Sequence, residues 1–185
     1  MKHLNEYIVV ADNIVPQSLC DDILTEYVNS DDWIPATIRG GLDANVRSCK
    51  TIGLSFSSVI DKNPSIRAAI DKSVFDCASK AIDLYNLKFD FCKIDQDSGY
   101  ELLEYREGQF YTQHVDSFRQ RPRAVSCSFV LNDSFEGGEF AFFDRELIYN
   151  VPKGSAIMFP SNFMYPHEVI PVTKGVRYSI VTWFI

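Results

Sequence analysis

The sequence has no apolar run that approaches the length of a membrane span, no low-complexity tract and no internal repeat. A membrane-spanning helix needs about 20 mostly apolar residues, so we expect no membrane insertion. The first residues, Met1 to Val15, also lack the long apolar core of a signal peptide. We therefore expect a cytoplasmic protein.

Cysteines are few, and none are spaced as C-x-x-C; the five are Cys20, Cys49, Cys77, Cys92 and Cys127. A zinc ribbon needs paired cysteine ligands, so the spacing excludes that class of site. The odd count leaves at least one thiol unpaired, which is typical of a protein from a reducing compartment.

Positive charge is also scarce, since the formal net charge is −7 and the sequence pI is about 4.9. An acidic protein repels phosphate backbones, so we expect no nucleic-acid partner. One local basic cluster exists, formed by Arg119, Arg121 and Arg123. It fits either a solvated turn or a patch that meets an acidic substrate.

Two helices are predicted in the first half of the chain. A short strand at 5–11 precedes a helix that opens at Pro16, where a missing backbone donor is tolerated. A second helix is predicted from Pro64 to about Tyr85, with apolar residues on one face. The polar stretch 31–50 between the two helices is predicted to be a long loop.

After Asn86 the chain becomes a series of short apolar or alternating segments separated by turn residues. The candidate strands are 88–95, 99–105, 109–115, 123–131, 138–143, 146–150, 155–160, 164–170 and 176–184. This pattern favours an α+β protein that is mainly β, with a jelly roll on whose major sheet the N-terminal helices pack. We expect a single domain over 1–185, in which 1–87 supports a jelly-roll core at 88–185.

Two of the three histidines could meet at one metal ion. His114 and Asp116 form an H-x-D triplet, whose side chains would point to the same face of a strand. His167 would complete the two-histidine, one-carboxylate set typical of non-haem Fe(II) oxygenases. An H-x-D alone is weak support, but Arg177 follows His167 by ten residues, and an arginine in the same pocket could pair with a carboxylate.

Five segments, in one order, match motifs of a known family. They are 105–116 (Y-x-x-G-x-x-Y-x-x-H-x-D), 123–132, 135–140 (F-x-G-G-E), 151–160 (P-x-x-G-x-x-x-x-F) and 167–183 (H-x-V-x-P-V-x-x-G-x-R-Y-x-x-x-x-W). The chain thereby resembles the prolyl 4-hydroxylase-like branch of the Fe(II)/2-oxoglutarate-dependent dioxygenases. The resemblance implies a double-stranded β-helix, with Fe(II), 2-oxoglutarate and O₂ as cofactor and cosubstrates and ascorbate as a supporting reductant.

The resemblance also implies roles for individual residues. His114, Asp116 and His167 would bind iron, and Arg177 would bind the distal carboxylate of 2-oxoglutarate. Tyr105 would lie near the metal-bound end of the cosubstrate. For Tyr111 both a place beside the cosubstrate and a packing role are open.

Three further positions bear on cosubstrate and substrate. Some relatives carry a Tyr where this chain has Val130, so Ser126 or Ser128, on the same face by strand parity, would replace its contact to the cosubstrate. Arg123 and Trp183 match substrate-contacting positions, although a solvated arginine and a core tryptophan are the alternatives.

The expected reaction is hydroxylation of an unactivated C–H bond with release of succinate and CO₂, most directly on a prolyl residue of a peptide or protein. Two alternatives remain open: hydroxylation of another residue or of a free amino acid, and a cupin-like binding jelly roll without catalysis. Loop 36–47 could close over the substrate, with Gly40-Gly41 as its hinge.

Overall fold

The computed structural model describes residues 2–55 and 64–185. Its helical elements are a 3₁₀ helix at Leu4–Tyr7, α1 at Gln17–Tyr27 and α2 at Pro64–Lys88. The strands are β1 (Val9–Ala11), β2 (Ile34–Pro35), β3 (Lys50–Gly53), β4 (Glu101–Arg106), β5 (Tyr111–His114), β6 (Val125–Val130), β7 (Phe135–Gly137), β8 (Phe140–Phe142), β9 (Leu147–Tyr149), β10 (Ala156–Pro160), β11 (His167–Val169) and β12 (Val172–Phe184).

The strands form two antiparallel sheets that face each other. The major sheet has the order β1-β10-β6-β12-β4-β3-β2, with β7 paired to the first part of β12. The minor sheet has the order β5-β11-β8-β9. Consecutive strands often lie in different sheets, as in a jelly roll, so the predicted double-stranded β-helix is confirmed.

Both helices pack on the outer face of the major sheet, as predicted. Ile23 of α1 and Val74 of α2 belong to the same buried cluster as Leu102, Phe129 and Ile180 of the sheet. Side chains alternate across a strand, so the neighbours of these sheet residues point the other way, into the space between the sheets. A second cluster lies there, and it includes Leu103, Tyr105, Val130, Phe142 and Phe159.

Several element boundaries differ from the prediction. The strand expected at 88–95 is wrong, because α2 continues to Lys88 and a turn follows, in which the Cys92 N–H bonds to the Phe89 carbonyl. The strand expected at 5–11 begins instead as the 3₁₀ helix, with β1 only at Val9–Ala11.

Other strands were missed or shortened by the sequence pattern. The stretch 31–50 contains β2 and the first residue of β3. The strand β7 was not anticipated, and β12 starts four residues before the predicted 176. Very short strands carry too few alternations for a period of two to be recognised.

No helix within 2–55 and 64–185 is long and apolar enough to span a bilayer. All five cysteines are free thiols. Four of them are buried, and Cys92 is half-buried.

Candidate metal centre and cosubstrate pocket

The register between β5 and β11 brings the two histidines together. His114, the last residue of β5, lies directly opposite His167, the first residue of β11. Asp116 follows β5, and its backbone N–H bonds to the Ser161 carbonyl at 3.2 Å. The ligand atoms of the two imidazoles and the carboxylate all lie within 4.8 Å of one another, so these three residues could hold one metal ion.

Hydrogen bonds to the backbone orient both imidazoles. His114 Nδ1 lies 2.8 Å from the Thr112 carbonyl, and His167 Nδ1 lies 3.1 Å from the Tyr165 carbonyl. Since a carbonyl can only accept, each Nδ1 carries the proton. The unprotonated Nε2 atoms then face Asp116, at 3.5 Å for His114 and 3.4 Å for His167, which is the arrangement that metal-binding histidines adopt.

The Asp116 carboxylate is held from behind by two serines. Ser126 Oγ donates to Asp116 Oδ2 at 2.7 Å, and Ser161 Oγ lies 2.7 Å from Ser126 Oγ. The single Ser126 proton goes to the carboxylate, so Ser161 is the donor in the second bond. Ser126 therefore contacts a metal-binding candidate. The contact to the cosubstrate, expected for either Ser126 or Ser128, stays a prediction.

The electrostatics of the cluster favour its metal-binding protonation state. Burial alone would raise the pKa of Asp116, but His167 and His114 outweigh it and hold that pKa well below its usual range. Burial, together with His167, lowers the pKa of His114. A carboxylate that stays ionised and an imidazole that stays neutral are both ready to coordinate a cation.

Aromatic rings fix the imidazoles in place. Tyr111 stacks on His114 with 3.5 Å between ring centroids and an interplanar angle of 16°. Phe159 packs edge-on against His167 at 4.5 Å, and Phe142 lies 5.7 Å from the same imidazole. Tyr111 thus packs on a candidate metal ligand. A place for it beside the cosubstrate stays a prediction.

Arg177 lies deeper between the sheets and is almost completely buried. Its Nη1 donates to Ser179 Oγ at 2.8 Å, whereas Nη2 is buried and finds no hydrogen-bond partner among the described residues. Phe140 and Tyr105 lie 5.2 and 5.5 Å from the guanidinium carbon. A buried cation with an unused donor indicates a place for an anionic group.

Gly138 makes room for this arginine. A Cβ at that position would lie 2.8 Å from Arg177 Cδ and 3.1 Å from Val172 Cγ2. The backbone of Gly138 also has φ +70°, a conformation that other residues rarely adopt. The second glycine of the predicted F-x-G-G-E turn thus forms part of the Arg177 cradle.

Two buried hydroxyls share the same interior and lack partners in the described part of the chain. They are Ser128 Oγ, on the predicted face of β6, and Thr51 Oγ1, opposite Leu103. Buried hydroxyls are normally hydrogen-bonded. Like Arg177 Nη2, each is an unused donor on a strand of the major sheet, on the face that is turned toward the minor sheet.

Tyr105 completes the deep part of this pocket. It is fully buried opposite Arg177 on the neighbouring strand, and burial raises the pKa of its hydroxyl well above the usual value. The phenol therefore stays neutral and can donate a hydrogen bond.

Arg123 and Trp183 form one unit beside the metal centre. The Arg123 guanidinium carbon lies 3.4 Å from the Trp183 ring centroid, and Arg123 Nη1 donates to the Asp116 carbonyl at 3.3 Å. Both side chains are half-buried, whereas Arg119 and Arg121 are exposed. Arg123 is therefore not a freely solvated side chain, and Trp183 is not a core residue.

Loop 36–47 lies beside the chain that follows Asp116. Its Ile38 and Gly41 form an isolated β-bridge, and Arg39 lies 5.2 Å from the ring of Phe118. Gly40 and Gly41 have φ values of +110° and +117°. Closure of this loop over a substrate remains a prediction.

Four residues that the fold brings to the site were not predicted from the sequence: Arg47, Thr51, Ser161 and Ser179. Strand parity from Arg177 would have found Ser179, which lies two residues further along β12. The other three come from distant parts of the chain, and no local pattern marks them.

A comparison with protein families finds that residues 100–185 match the model of the 2OG-Fe(II) oxygenase superfamily. Among curated proteins, a PKHD-type hydroxylase from Idiomarina loihiensis is 34% identical over 85 residues, covering 43% of this chain and 38% of that protein. The chain thus aligns with less than two fifths of the relative's length. The likeness supports the family of the matched segment rather than a shared activity of the whole proteins.

Among solved structures, a prolyl hydroxylase from Trichoplax adhaerens, in complex with a hypoxia inducible factor peptide, matches with a TM-score of 0.78 and 19% identity, covering 97% of this chain and 83% of that one. A prolyl-4-hydroxylase from Pseudomonas putida matches with a TM-score of 0.70 and 21% identity, covering 96% and 92%. Likeness at this level of identity supports the fold.

Proposed function

We propose that this chain, whose residues 100–185 belong to the 2OG-Fe(II) oxygenase superfamily, is an Fe(II)- and 2-oxoglutarate-dependent hydroxylase that acts on a prolyl residue of a peptide or protein. The observation that carries the proposal is the convergence of His114, Asp116 and His167 in one interior with Arg177, a buried cation that has an unused donor.

The donor set suits the proposed ion. Two imidazole nitrogens and one carboxylate oxygen leave coordination positions open, as in non-haem Fe(II) oxygenases. When bound, the iron and 2-oxoglutarate supply the oxidative chemistry that inserts oxygen into an unactivated C–H bond, with release of succinate and CO₂.

The chain's own residues would position these groups. His114, Asp116 and His167 would bind the iron, and the backbone and serine hydrogen bonds described above hold them in orientation. Arg177 would bind the distal carboxylate of the cosubstrate through Nη2, and Tyr105 and Ser128 would donate to its oxygens.

Two observations, the fold and the side chain of Trp183, support a prolyl residue as the target. The two structural neighbours described above are named as prolyl hydroxylases, and one is in complex with a peptide. Trp183, on whose ring the Arg123 guanidinium stacks, is a half-buried aromatic side chain against which a pyrrolidine ring could pack.

The test is to incubate the enzyme with Fe(II), 2-oxoglutarate and ascorbate and a set of proline-containing peptides. We expect succinate release that needs both Fe(II) and 2-oxoglutarate, and a peptide whose mass increases by one oxygen atom at proline. Purified protein that neither binds 2-oxoglutarate nor releases succinate would refute the assignment, and oxygen on another residue would refute only the prolyl target.

A further inference from the structure

A second arginine, Arg47, comes shortly before β3 and packs on Tyr111. Its guanidinium carbon lies 4.9 Å from the ring centroid of Tyr111, and the same tyrosine stacks on His114. The backbones of Arg47 and Tyr111 form an isolated antiparallel bridge, which fixes the start of the side chain. Arg47, Tyr111 and His114 are therefore stacked in a column that ends at the metal centre.

The hydrogen bonds of Arg47 leave one edge of its guanidinium unused. Nη1 donates to the Thr37 carbonyl at 3.0 Å, across the base of loop 36–47. Nε is buried and has no hydrogen-bond partner among the described residues. The Nε–H lies on the side of the guanidinium that pairs with a carboxylate through two parallel hydrogen bonds.

The guanidinium of Arg47 is permanently charged. Burial alone would lower the pKa of Arg47, but the surrounding Tyr105, Cys49 and Glu101 outweigh it and raise that pKa above its usual value. A permanently charged group with a buried and unpaired donor is unfavourable unless an oxygen acceptor occupies the adjoining space.

The cosubstrate does not account for this group. A 2-oxoglutarate molecule that chelates a metal through its keto acid end has one free carboxylate, and Arg177 already offers a buried unused donor for it. Arg177 lies against Phe140 and Gly138, whereas Arg47 lies against Tyr111. The two guanidiniums flank Tyr105 and would serve different ligands.

We infer that Arg47 binds a carboxylate of the primary substrate, close to the carbon that is hydroxylated. This inference rests on the proposed function and narrows its substrate class. The enzyme would select a prolyl residue that carries a free α-carboxylate, at the C-terminus of a peptide, over one that continues into a chain.

The experiment measures binding by titration calorimetry without oxygen, using protein loaded with Mn(II) and 2-oxoglutarate. The probes are N-acetyl-L-proline and N-acetyl-L-prolinamide. They differ only at the α-carbonyl group, which is a carboxylate in the first and a neutral amide in the second. We expect the wild type to bind the acid at least about tenfold more tightly than the amide. Arg47→Met should lose this preference, and Arg47→Lys should recover only part of it, because lysine keeps the charge without the planar edge.

The control is Lys72→Met, which removes an exposed cation of α2 that pairs with Asp76 and lies outside loop 36–47 and the metal centre. It should leave both probe affinities unchanged. The affinity of metal-loaded Arg47→Met for 2-oxoglutarate should match that of the wild type, which also reports that the variant is folded.

Equal binding of the two probes by the wild type, or binding of neither, would overturn the assignment of Arg47. A loss of 2-oxoglutarate binding in Arg47→Met would overturn it as well, by assigning the residue to the cosubstrate. Failure of the wild type to bind 2-oxoglutarate at all would instead refute the proposed function.

Discussion

Ser126 Oγ donates a hydrogen bond of 2.7 Å to Oδ2 of Asp116, and both residues are buried. This contact joins the major sheet to the chain that follows β5. Ser161 donates to Ser126 in turn, so the metal-binding carboxylate is oriented by a chain of two hydroxyls. Residues that orient a metal ligand contribute strongly to metal affinity although they do not contact the ion.

Ser126→Ala is expected to weaken metal binding by about 10- to 100-fold, because the carboxylate loses the hydrogen bond that holds its orientation. The measurement is a calorimetric titration of metal-free protein with Mn(II). The matched control is Ser128→Ala, two residues along the same face of β6, where the hydroxyl has no hydrogen bond to Asp116. If both variants bind Mn(II) as tightly as the wild type, the orienting role of Ser126 is wrong.

Arg177→Met is expected to weaken 2-oxoglutarate binding by about 1.5–3 kcal/mol, which is the range for a hydrogen bond to a charged group. The Mn(II) affinity should stay unchanged, since Arg177 makes no contact with the three metal-binding residues. Parallel titrations with Mn(II) and with 2-oxoglutarate separate the two effects. A variant that retains full 2-oxoglutarate affinity would contradict the role of Arg177.

Gly138→Ala is expected to weaken 2-oxoglutarate binding as well, because the new Cβ would lie 2.8 Å from Arg177 Cδ and displace that side chain. It should also destabilise the protein by about 1–2 kcal/mol, since φ at this position is +70°. The chemical denaturation midpoint and the 2-oxoglutarate affinity are measured together.

Gly108→Ala is the matched control for the Gly138 variant. Gly108 has φ +78°, but a Cβ there would have no atom within 4 Å. The control should show a similar loss of stability with unchanged 2-oxoglutarate affinity. Equal losses of affinity in the two variants would refute the cradle explanation.

Tyr178 is expected to make the fold sensitive to alkali. Burial and the neighbouring Glu104, to which its hydroxyl donates at 3.2 Å, raise the pKa of Tyr178 to about 12. Its usual value is about 10, so the native state retains a proton that the unfolded chain releases. The contribution of the protonated Tyr178 to the free energy of unfolding is complete below about pH 10 and is lost as the pH rises toward about 12.

Tyr178→Phe should therefore lose less unfolding free energy than the wild type between about pH 9 and pH 11, two values that bracket the pKa of a free tyrosine. The measurement is urea denaturation at each pH. At neutral pH the variant should be less stable by about 1 kcal/mol, the value of the lost hydrogen bond. Identical alkaline profiles would show that the ionisation of Tyr178 is not linked to unfolding.

Much of the fold and of the site could be predicted from local patterns. Helix α2 begins at Pro64 as predicted, and long alternating strands such as β6 were found because their side chains repeat every second residue. His114 and Asp116 were recognised because an i, i+2 pair on an extended chain shares one face. Likewise, the order and spacing of the motifs from Tyr105 to Trp183 predicted the superfamily whose model matches residues 100–185.

Short elements and long-range contacts could not be predicted in this way. The strand expected at 88–95 is instead the end of α2 and a turn, in which Phe89, Cys92 and Ile94 pack in the same cluster as the helix rather than in a ladder. Ser126 lies on the predicted face of β6, but its hydrogen bond to Asp116 was not predicted. Strand parity specifies a direction and not a partner.

Residue type and the period of two along a strand were enough to predict which side chains could bind a metal and which strands would present them. Which of these groups meet depends on the packing of the chain in three dimensions. The register of β5 against β11 sets His114 opposite His167, and the chain before β3 brings Arg47 onto Tyr111. Contacts between residues far apart in sequence depend on how the two sheets pack, and no local pattern encodes that packing.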